Sequence, residues 1–433
     1  MALFFQSAST SKLEMLAYAG LCGFLFVLPW EEAPQLGGFA IGRWLGLAAL
    51  AILILRSGVS GQARKLTVLH YLMASLVALS ALSLLWSLDR DATLSRIGTY
   101  VQLLGLVWMM WELAVTENRV LGLLRAYATG IFLASTLTIY NYATGITSAA
   151  LYAAEGIEKS DETRFSIEGV NENDLGLMLA MCLPMMIYLA IRSKWRLAKL
   201  FFWIQLVTCI TAIFLTGSRG ALISAAIALF MVPLTIGRLP WSQKITAAMA
   251  CAGIAICGIF LIPPEIWSRF LQLSTELTEG TLTHRTVIWS AGLAALRDHA
   301  FLGVGSGAYP ATVLRVVDVP YVAHNTFLSV LVELGVVGAL LLIALVLCLF
   351  YTAFLMKYFE RCLWLCILAS WAVGVSALTW EYSKPTWVMF GLLLAHAYSR
   401  RTKIRYFAPH PEALVYRYGA DIYKREPSSV PTS

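Results

Sequence analysis

The stretch that decides the fold is residues 326–355, TFLSVLVELGVVGALLLIALVLCLFYTAFL, in which Glu333 is the only charged residue. A helix rises ~1.5 Å per residue, so about 20 apolar residues cross a bilayer core of ~30 Å. Buried helices of soluble proteins are usually shorter. The stretch therefore predicts a membrane-spanning helix.

Eleven further apolar runs occur along the chain. Together with this stretch, the predicted spans are residues 13–30, 38–55, 67–86, 95–114, 119–140, 174–191, 198–216, 220–237, 244–262, 326–355, 362–378 and 386–399. The composition agrees, since 59% of the residues are hydrophobic and 13% are charged, against roughly 25% charged in a soluble domain. We expect an all-α polytopic membrane protein of about twelve helices, which excludes a soluble globular enzyme.

The net charge of +7 is mainly an orientation signal, because Lys and Arg concentrate in short cytoplasmic loops. One alternate set of loops carries Lys12, Arg56, Arg64, Lys65, Arg119, Arg192, Lys194, Arg196, Lys199, Arg238, Lys244, Lys357, Arg361, Arg400, Arg401, Lys403 and Arg405. These loops are expected to be cytoplasmic, with both termini on that side. The distribution gives no indication of nucleic-acid binding.

The predicted organisation has four parts. Residues 1–262 hold helices one to nine with an outer loop at about 141–173, residues 263–325 form a second outer loop, residues 326–399 hold helices ten to twelve, and residues 400–433 form a cytoplasmic tail. Loops longer than ~12 to 15 residues usually carry function or are disordered. The two outer loops are therefore the place to look for chemistry.

Arg219 lies between two apolar runs, in Ser218-Arg219-Gly220-Ala221, on the predicted outer side. An arginine at a helix end can reach the lipid headgroups with no further role. The orientation rule disfavours outer arginines, however, and Gly217 and Gly220 leave room for a ligand. A functional role is the preferred interpretation.

The second outer loop contains Arg285, followed at helical spacing by Trp289, Leu293 and Leu296. This pattern predicts a short amphipathic helix on the membrane surface that begins at Arg285. The glycine-rich run 303–307 after it could approach a phosphate, but it lacks the Lys-Ser/Thr of a P-loop. We interpret that run as a plain turn.

His324-Asn325 stands at the predicted outer mouth of the helix at 326–355. An imidazole with an unperturbed pKa of ~6.5 can accept a proton near neutral pH, although a histidine here can also simply cap the helix. Glu333 follows nine residues later, and a straight helix would place it about 13 Å deeper, facing away from His324. We expect Glu333 to pair with an arginine of another helix.

Two weaker candidates remain. Arg164 lies near Asn171-Glu172-Asn173, where Asn171 can cap the next helix and Arg164 can be solvated among acidic neighbours. Asp89-Arg90-Asp91 spells a pattern that can hold a divalent ion, but acids before a helix also complement its dipole, which is the preferred interpretation.

Cationic groups and a histidine at the outer surface, with no nucleotide motif, favour a reaction whose energy arrives in the substrate. A lipid diphosphate fits, because the planar guanidinium pairs with diphosphate oxygens and stays charged.

The combination of motifs resembles the O-antigen ligase and polymerase superfamily over roughly residues 70–350. The motifs that carry the resemblance are Trp86-Ser87, Arg164 to Asn173, Ser218-Arg219-Gly220-Ala221, Arg285 with Trp289 and Gly303-Val304-Gly305, and His324-Asn325-Thr326-Phe327-Leu328 through Glu333-Leu334-Gly335. The sequence departs from the family pattern at Asn171-Glu172-Asn173, where a Pro-Asn step is expected.

The resemblance implies a GT-C-like glycosyltransferase of the bacterial inner membrane that needs neither metal nor cofactor. Its donor would be a glycan on undecaprenyl diphosphate, and its acceptor would be lipid A-core. The glycan would be transferred at the periplasmic face with inversion at the anomeric carbon. His324 would be the general base and Arg219 and Arg285 would bind the diphosphate.

Arg164 would be a further, weaker diphosphate ligand by the same resemblance. Ser218, Asn325 and Glu333 would support the site.

Two alternatives stay open. A polysaccharide polymerase or a protein O-oligosaccharyltransferase of the same superfamily would share the arginine and histidine pattern. A lipid or polysaccharide transporter is the contrasting class, but transporters usually bind substrate near the midplane between repeated, broken helices, and no repeat is evident here.

Overall fold

The computed structural model describes residues 2–33, 37–154, 163–242, 285–399 and 404–406, with isolated positions between 244 and 268. Within these residues the chain is almost entirely helical. The helices are α1 (Ala2–Val27), α2 (Gly38–Ser60), α3 (Val68–Leu82), α4 (Arg90–Leu113), α5 (Glu117–Thr144), α6 (Ser148–Ala154), α7 (Glu172–Arg192), α8 (Arg196–Leu215), α9 (Arg219–Leu229), α10 (Met231–Ile236), α11 (Arg285–His299), α12 (Tyr309–Val317), α13 (Thr326–Phe354), α14 (Tyr358–Gly374) and α15 (Lys384–Tyr398).

One short antiparallel strand pair accompanies the helices. The strands β1 (Gln62–Arg64) and β2 (Ile404–Tyr406) pair with Gln62 opposite Tyr406. The pair ties the connection between α2 and α3 to the segment that follows α15.

Eight of the described segments are long and apolar enough to cross a membrane. They are Lys12–Trp30, Ala40–Ser60, Val68–Leu85, Glu117–Thr144, Glu172–Arg192, Arg196–Leu215, Arg219–Ile236 and Thr326–Phe354. Three other predicted spans correspond to α4, α14 and α15, and the span predicted at 244–262 lies almost wholly outside the described residues. The prediction of an all-α polytopic membrane protein is confirmed.

The bundle is organised around α7. This helix is hydrophobic all round and is buried along almost its whole length, with α5, α8, α9 and α14 packed against it, as expected for an apolar helix without a polar face. By contrast, α2 exposes most of its apolar side chains at the edge of the bundle. We call the end of the bundle that holds the first residues of α7, α9, α13 and α15 the loop end.

Helix α13 is broken at Gly335, whose φ of 65° and ψ of −168° are not helical. A straight helix of 29 residues would be about 43 Å long. Yet Thr326 N–H donates to the carbonyl of Val375, directly after α14, and only three residues join α13 to α14 at the other end. Since α14 has 17 residues, or about 25 Å, the break must absorb the difference.

The prediction of one uninterrupted helix over residues 326–355 is therefore wrong. The break follows Glu333, so the expected rise of about 13 Å along the helix from His324 to Glu333 stays a prediction. Glu333 precedes the break and remains at the loop end, beside residues of α12 and of the turn before it.

Four backbone hydrogen bonds repair the break. Helix α13 accepts two bonds from the turn after α11 and donates two to it. The bonds are Val304 N–H to Val332 O, Gly305 N–H to Glu333 O, Val336 N–H to Ala300 O and Val337 N–H to Phe301 O. Because unpaired backbone groups are costly near lipid, an irregular backbone is tolerated there only when its polar groups are satisfied in this way.

Helices α11 and α12 form a second, smaller core at the loop end. Ile288, Tyr309 and Ala323 are buried in it, and Trp289 and Leu296 pack against it. The predicted helix at Arg285 is confirmed, and Trp289 and Leu296 of its predicted apolar face pack against this core. Leu293 alone of the three predicted apolar positions is largely exposed.

We expect Gly335→Ala to lower the free energy of unfolding by about 3 kcal/mol or more, because positive φ strains an L side chain and the added Cβ would lie 2.2 Å from the Phe301 carbonyl oxygen. The midpoint of thermal unfolding in detergent measures the change. Gly98→Ala is the matched control, since Gly98 is helical and its Cβ would meet nothing within 4 Å. Equal midpoints for the two variants would contradict the role given to the break.

Candidate functional site

Arg219 is positioned by a tight turn between α8 and α9. Gly217 has a φ of 61°, and the side chain of Ser218 caps α9 by accepting a hydrogen bond from Ala221 N–H at 3.4 Å. Arg219 is the first residue of that helix and is half-buried. The predicted supporting residue Ser218 thus acts by fixing the helix start from which Arg219 projects.

Arg164 forms a hydrogen bond with the same turn. Its Nε donates to Thr216 O at 2.8 Å and its Nη2 donates to Asn173 Oδ1 at 2.9 Å, while Nη1 lies 3.7 Å from a carboxylate oxygen of Glu172. The interpretation of Arg164 as a solvated side chain is wrong, since it is 6% exposed. Its guanidinium is engaged by protein groups that tie the turn to the start of α7.

Asn171 caps α7, as predicted. Its side-chain oxygen accepts a hydrogen bond from Asn173 N–H at 2.9 Å. The segment in which the sequence departs from the family pattern therefore still starts the helix.

His324 stands one residue before the cap of α13 in a strained backbone conformation. Its φ of 47° is rare for a residue with a side chain and is often found where function requires it. Asn325, the next residue, caps α13 by accepting from Leu328 N–H at 3.0 Å. Among the residues that the structure describes, none forms a hydrogen bond with the imidazole of His324.

The three leading candidates come together at the loop end. Burial and the nearby Arg285 lower the pKa of His324, and burial and the nearby Arg219 lower the pKa of Arg285. These effects require short separations, because charges interact strongly only when close or partly desolvated. Residues from α9, from α11 and from the segment before α13 thus line one half-buried region, in which Arg285 interacts with both Arg219 and His324.

The glycine-rich turn is not a phosphate cradle. Every backbone N–H from residue 303 to residue 308 donates to a protein acceptor. The acceptors are, in order, His299 O, Val332 O, Glu333 O, Ser83 Oγ, Glu333 Oε2 and Gly305 O. The interpretation of this run as a plain turn is confirmed.

Glu333 pairs with an arginine of another helix, as expected. It is buried and interacts electrostatically with Arg96 of α4, and its Oε2 accepts from Gly307 N–H at 2.6 Å. Glu333 therefore fixes the turn against α13 and α4, which makes it a supporting residue.

Sequence reasoning missed Glu381, the partner that completes this cluster. Arg96 Nη1 lies 3.3 Å from Glu381 Oε1, to which Ser329 Oγ donates at 2.9 Å. Burial and the nearby Glu333 raise the pKa of Glu381 to about 7. The available signal was an acid in a short connection between two apolar runs, which is costly unless it is paired.

Asp89 has a structural role. Its side chain caps α4 by accepting from Ala92 N–H at 3.0 Å, so the preferred interpretation of this acid as a helix-start residue is confirmed. Helix α4 begins at Arg90, five residues before the predicted start of the span.

A comparison with known protein families matches the part of the chain that contains the three leading candidates. Residues 204–343 match the family model described as O-antigen ligase. No curated protein matches the chain. The matched segment contains Arg219, Arg285, His324 and Glu333, whereas Arg164, Arg96 and Glu381 lie outside it. The resemblance to the O-antigen ligase superfamily is thereby confirmed for the segment that carries the two leading arginines and the histidine.

Proposed function

We propose that the chain transfers a polysaccharide from undecaprenyl diphosphate to lipid A-core, as an O-antigen ligase. The family match supports a glycosyltransferase-like enzyme, and the observation that carries the proposal is the closeness of Arg285 to both Arg219 and His324. The loop end would face the periplasm, with the chain in the bacterial inner membrane and both termini cytoplasmic.

The two arginines would bind the diphosphate of the donor. Two guanidinium groups held close together repel each other, and an anion with several oxygens would relieve that repulsion while accepting hydrogen bonds from both. Their charge would also stabilise the diphosphate as it leaves, because neither group needs to give up a proton.

His324 would be the general base. The acceptor hydroxyl attacks the anomeric carbon while its proton passes to the imidazole, and the bond from that carbon to the diphosphate oxygen breaks with its electrons going to undecaprenyl diphosphate. Attack opposite the leaving group inverts the anomeric configuration. A lowered pKa keeps the imidazole neutral, and therefore able to accept the proton, at neutral pH.

The remaining candidates would support these groups. Ser218, Asn325 and Glu333 fix the helix starts and the turn around the site. For Arg164 we propose that it positions the turn that carries Arg219, because its guanidinium is already engaged by Thr216 and Asn173.

We expect His324→Ala to lower transfer by about 10²- to 10⁴-fold, the usual contribution of a general base, without changing the unfolding midpoint. The measurement is transfer from a lipid-linked glycan to lipid A-core by purified protein in detergent, with EDTA and without nucleotide. His299→Ala, on α11, is the matched control. Near-normal turnover of His324→Ala would exclude the base assignment.

The same assay separates the alternatives. Product formed only on a growing glycan would indicate a polymerase, and product formed only on a protein would indicate a protein O-oligosaccharyltransferase. No covalent product with any acceptor would favour a transporter.

Arg285→Lys should lower kcat/KM for the lipid-linked donor by about 10- to 100-fold, because the ammonium keeps the charge but loses the two-pronged contact. Steady-state kinetics with varied donor concentration measures the change. Arg297→Lys, an exposed substitution on the same helix, should leave kcat/KM unchanged. If both substitutions have the same effect, Arg285 does not bind the diphosphate.

The pH dependence follows from the pKa of His324, which burial and Arg285 lower. Activity requires the neutral imidazole, so kcat/KM should fall only as the pH drops below about 6.5, the ordinary histidine value. Arg285→Gln removes a nearby positive charge and should move this acid limb to higher pH, whereas Arg315→Gln, on the exposed side of α12, should not. If the acid limb of kcat/KM lies above about pH 6.5 and does not move in Arg285→Gln, His324 is not the general base.

A further inference from the structure

We propose that Trp289 is a positioning residue whose indole N–H fixes the backbone at His324, so that α11 holds Arg285 and His324 at a set separation. The proposal rests on the proposed function. It adds a residue that touches neither substrate nor the reacting atoms.

The central contact is one hydrogen bond. Trp289 Nε1–H donates to the carbonyl oxygen of Ala323 at 2.8 Å, across 34 residues of sequence. That carbonyl belongs to the peptide plane that joins Ala323 to His324. Rotation of this plane about the N–Cα bond of His324 is the angle φ, so the indole restrains the angle that is strained.

The positive φ of His324 needs such restraint. A backbone conformation of this kind persists only where the surrounding structure determines it from several sides. Here Ala323 is fully buried in the small core of α11 and α12, Asn325 caps α13, and Thr326 N–H donates to Val375 O at 2.9 Å. The contacts after His324 anchor one side of the residue, and Trp289 anchors the other.

Helix α11 is itself held in place by neighbouring residues, so Trp289 can fix the His324 backbone relative to it. The hydroxyl of Tyr309 donates to Ile288 O at 3.0 Å, next to Trp289 in the sequence. Gly292, one turn further, lies so close to the Tyr309 ring that an added Cβ would be 2.5 Å from its hydroxyl oxygen. The helix therefore cannot rotate about its axis without a clash.

Arg285 and Trp289 lie four residues apart on α11, which places them on the same face of the helix. One rigid helix thus carries a proposed diphosphate ligand and, one turn later, the contact that orients the proposed base. A displacement of about 1 Å in an active site can cost on the order of 10²-fold in rate. Loss of the indole bond should therefore affect turnover more than binding.

The test is Trp289→Phe, which removes the N–H and keeps an aromatic ring on the core. We expect kcat to fall about 10- to 100-fold and KM for the lipid-linked donor to change less than about threefold, since neither arginine is altered. Trp364→Phe is the matched control, because Trp364 Nε1–H also donates one buried hydrogen bond, to His396 Nδ1 at 3.0 Å, between α14 and α15. It should lower the unfolding midpoint by a similar amount and leave kcat unchanged.

A second measurement does not depend on turnover. Histidine ¹³C NMR in detergent, with the His324 signal assigned by its loss in His324→Gln, gives the pKa of His324 directly. The pKa should rise in Trp289→Phe, because the imidazole is released from its place beside Arg285, and should stay unchanged in Trp364→Phe.

The outcomes separate the two proposals. Unchanged kcat and unchanged His324 pKa in a folded Trp289→Phe protein would overturn the positioning role, and equal losses in both tryptophan variants would reduce it to a structural one. If the wild-type protein transfers no glycan while the NMR shift still appears, the positioning role holds and the proposed function fails.

Discussion

The loop end depends on the exchange of four backbone hydrogen bonds at Gly335. A helix that stops next to the membrane leaves N–H and C=O groups that lipid cannot satisfy, so the break in α13 requires a second irregular segment with the complementary groups. The turn after α11 supplies them through Val304, Gly305, Ala300 and Phe301. Because that turn follows α11 directly, the exchange also fixes the helix that carries Arg285.

Buried charged side chains also hold the elements of the loop end together. Glu333 accepts from Gly307 N–H and faces Arg96, which in turn contacts Glu381. Burial raises the pKa of Glu381, and the second carboxylate beside the same guanidinium, that of Glu333, raises it further. The cluster joins α4, α13 and the connection before α15. The loop end thus holds an acidic structural cluster as well as a cationic candidate site.

The candidate site is built from three separate elements of the chain, namely α9, α11 and the segment before α13. Arg219 and Arg285 project from the first residues of two different helices, α9 and α11. Each position is stabilised locally, by the Ser218 cap and the buried Arg164 on one side and by the Tyr309 contact on the other. This stabilisation offsets the repulsion between the two guanidinium groups, of which that of Arg285 also lowers the pKa of His324.

The sequence by itself determined the membrane class, most of the spans, the helix at Arg285, the cap at Asn171, the place of Asp89 before a helix, and the pairing of Glu333 with an arginine elsewhere. These features follow from local rules, namely apolar length, capping chemistry and the cost of an unpaired charge in the membrane. Only the tertiary structure decided that α13 is broken, that Glu333 stays at the loop end, that Trp289 lies on a protein core and that Arg164 is buried. Each of these depends on contacts between residues far apart in the chain, such as Gly335 with Phe301 or Arg164 with Thr216, and the periodicity of a single helix carries no information about such contacts.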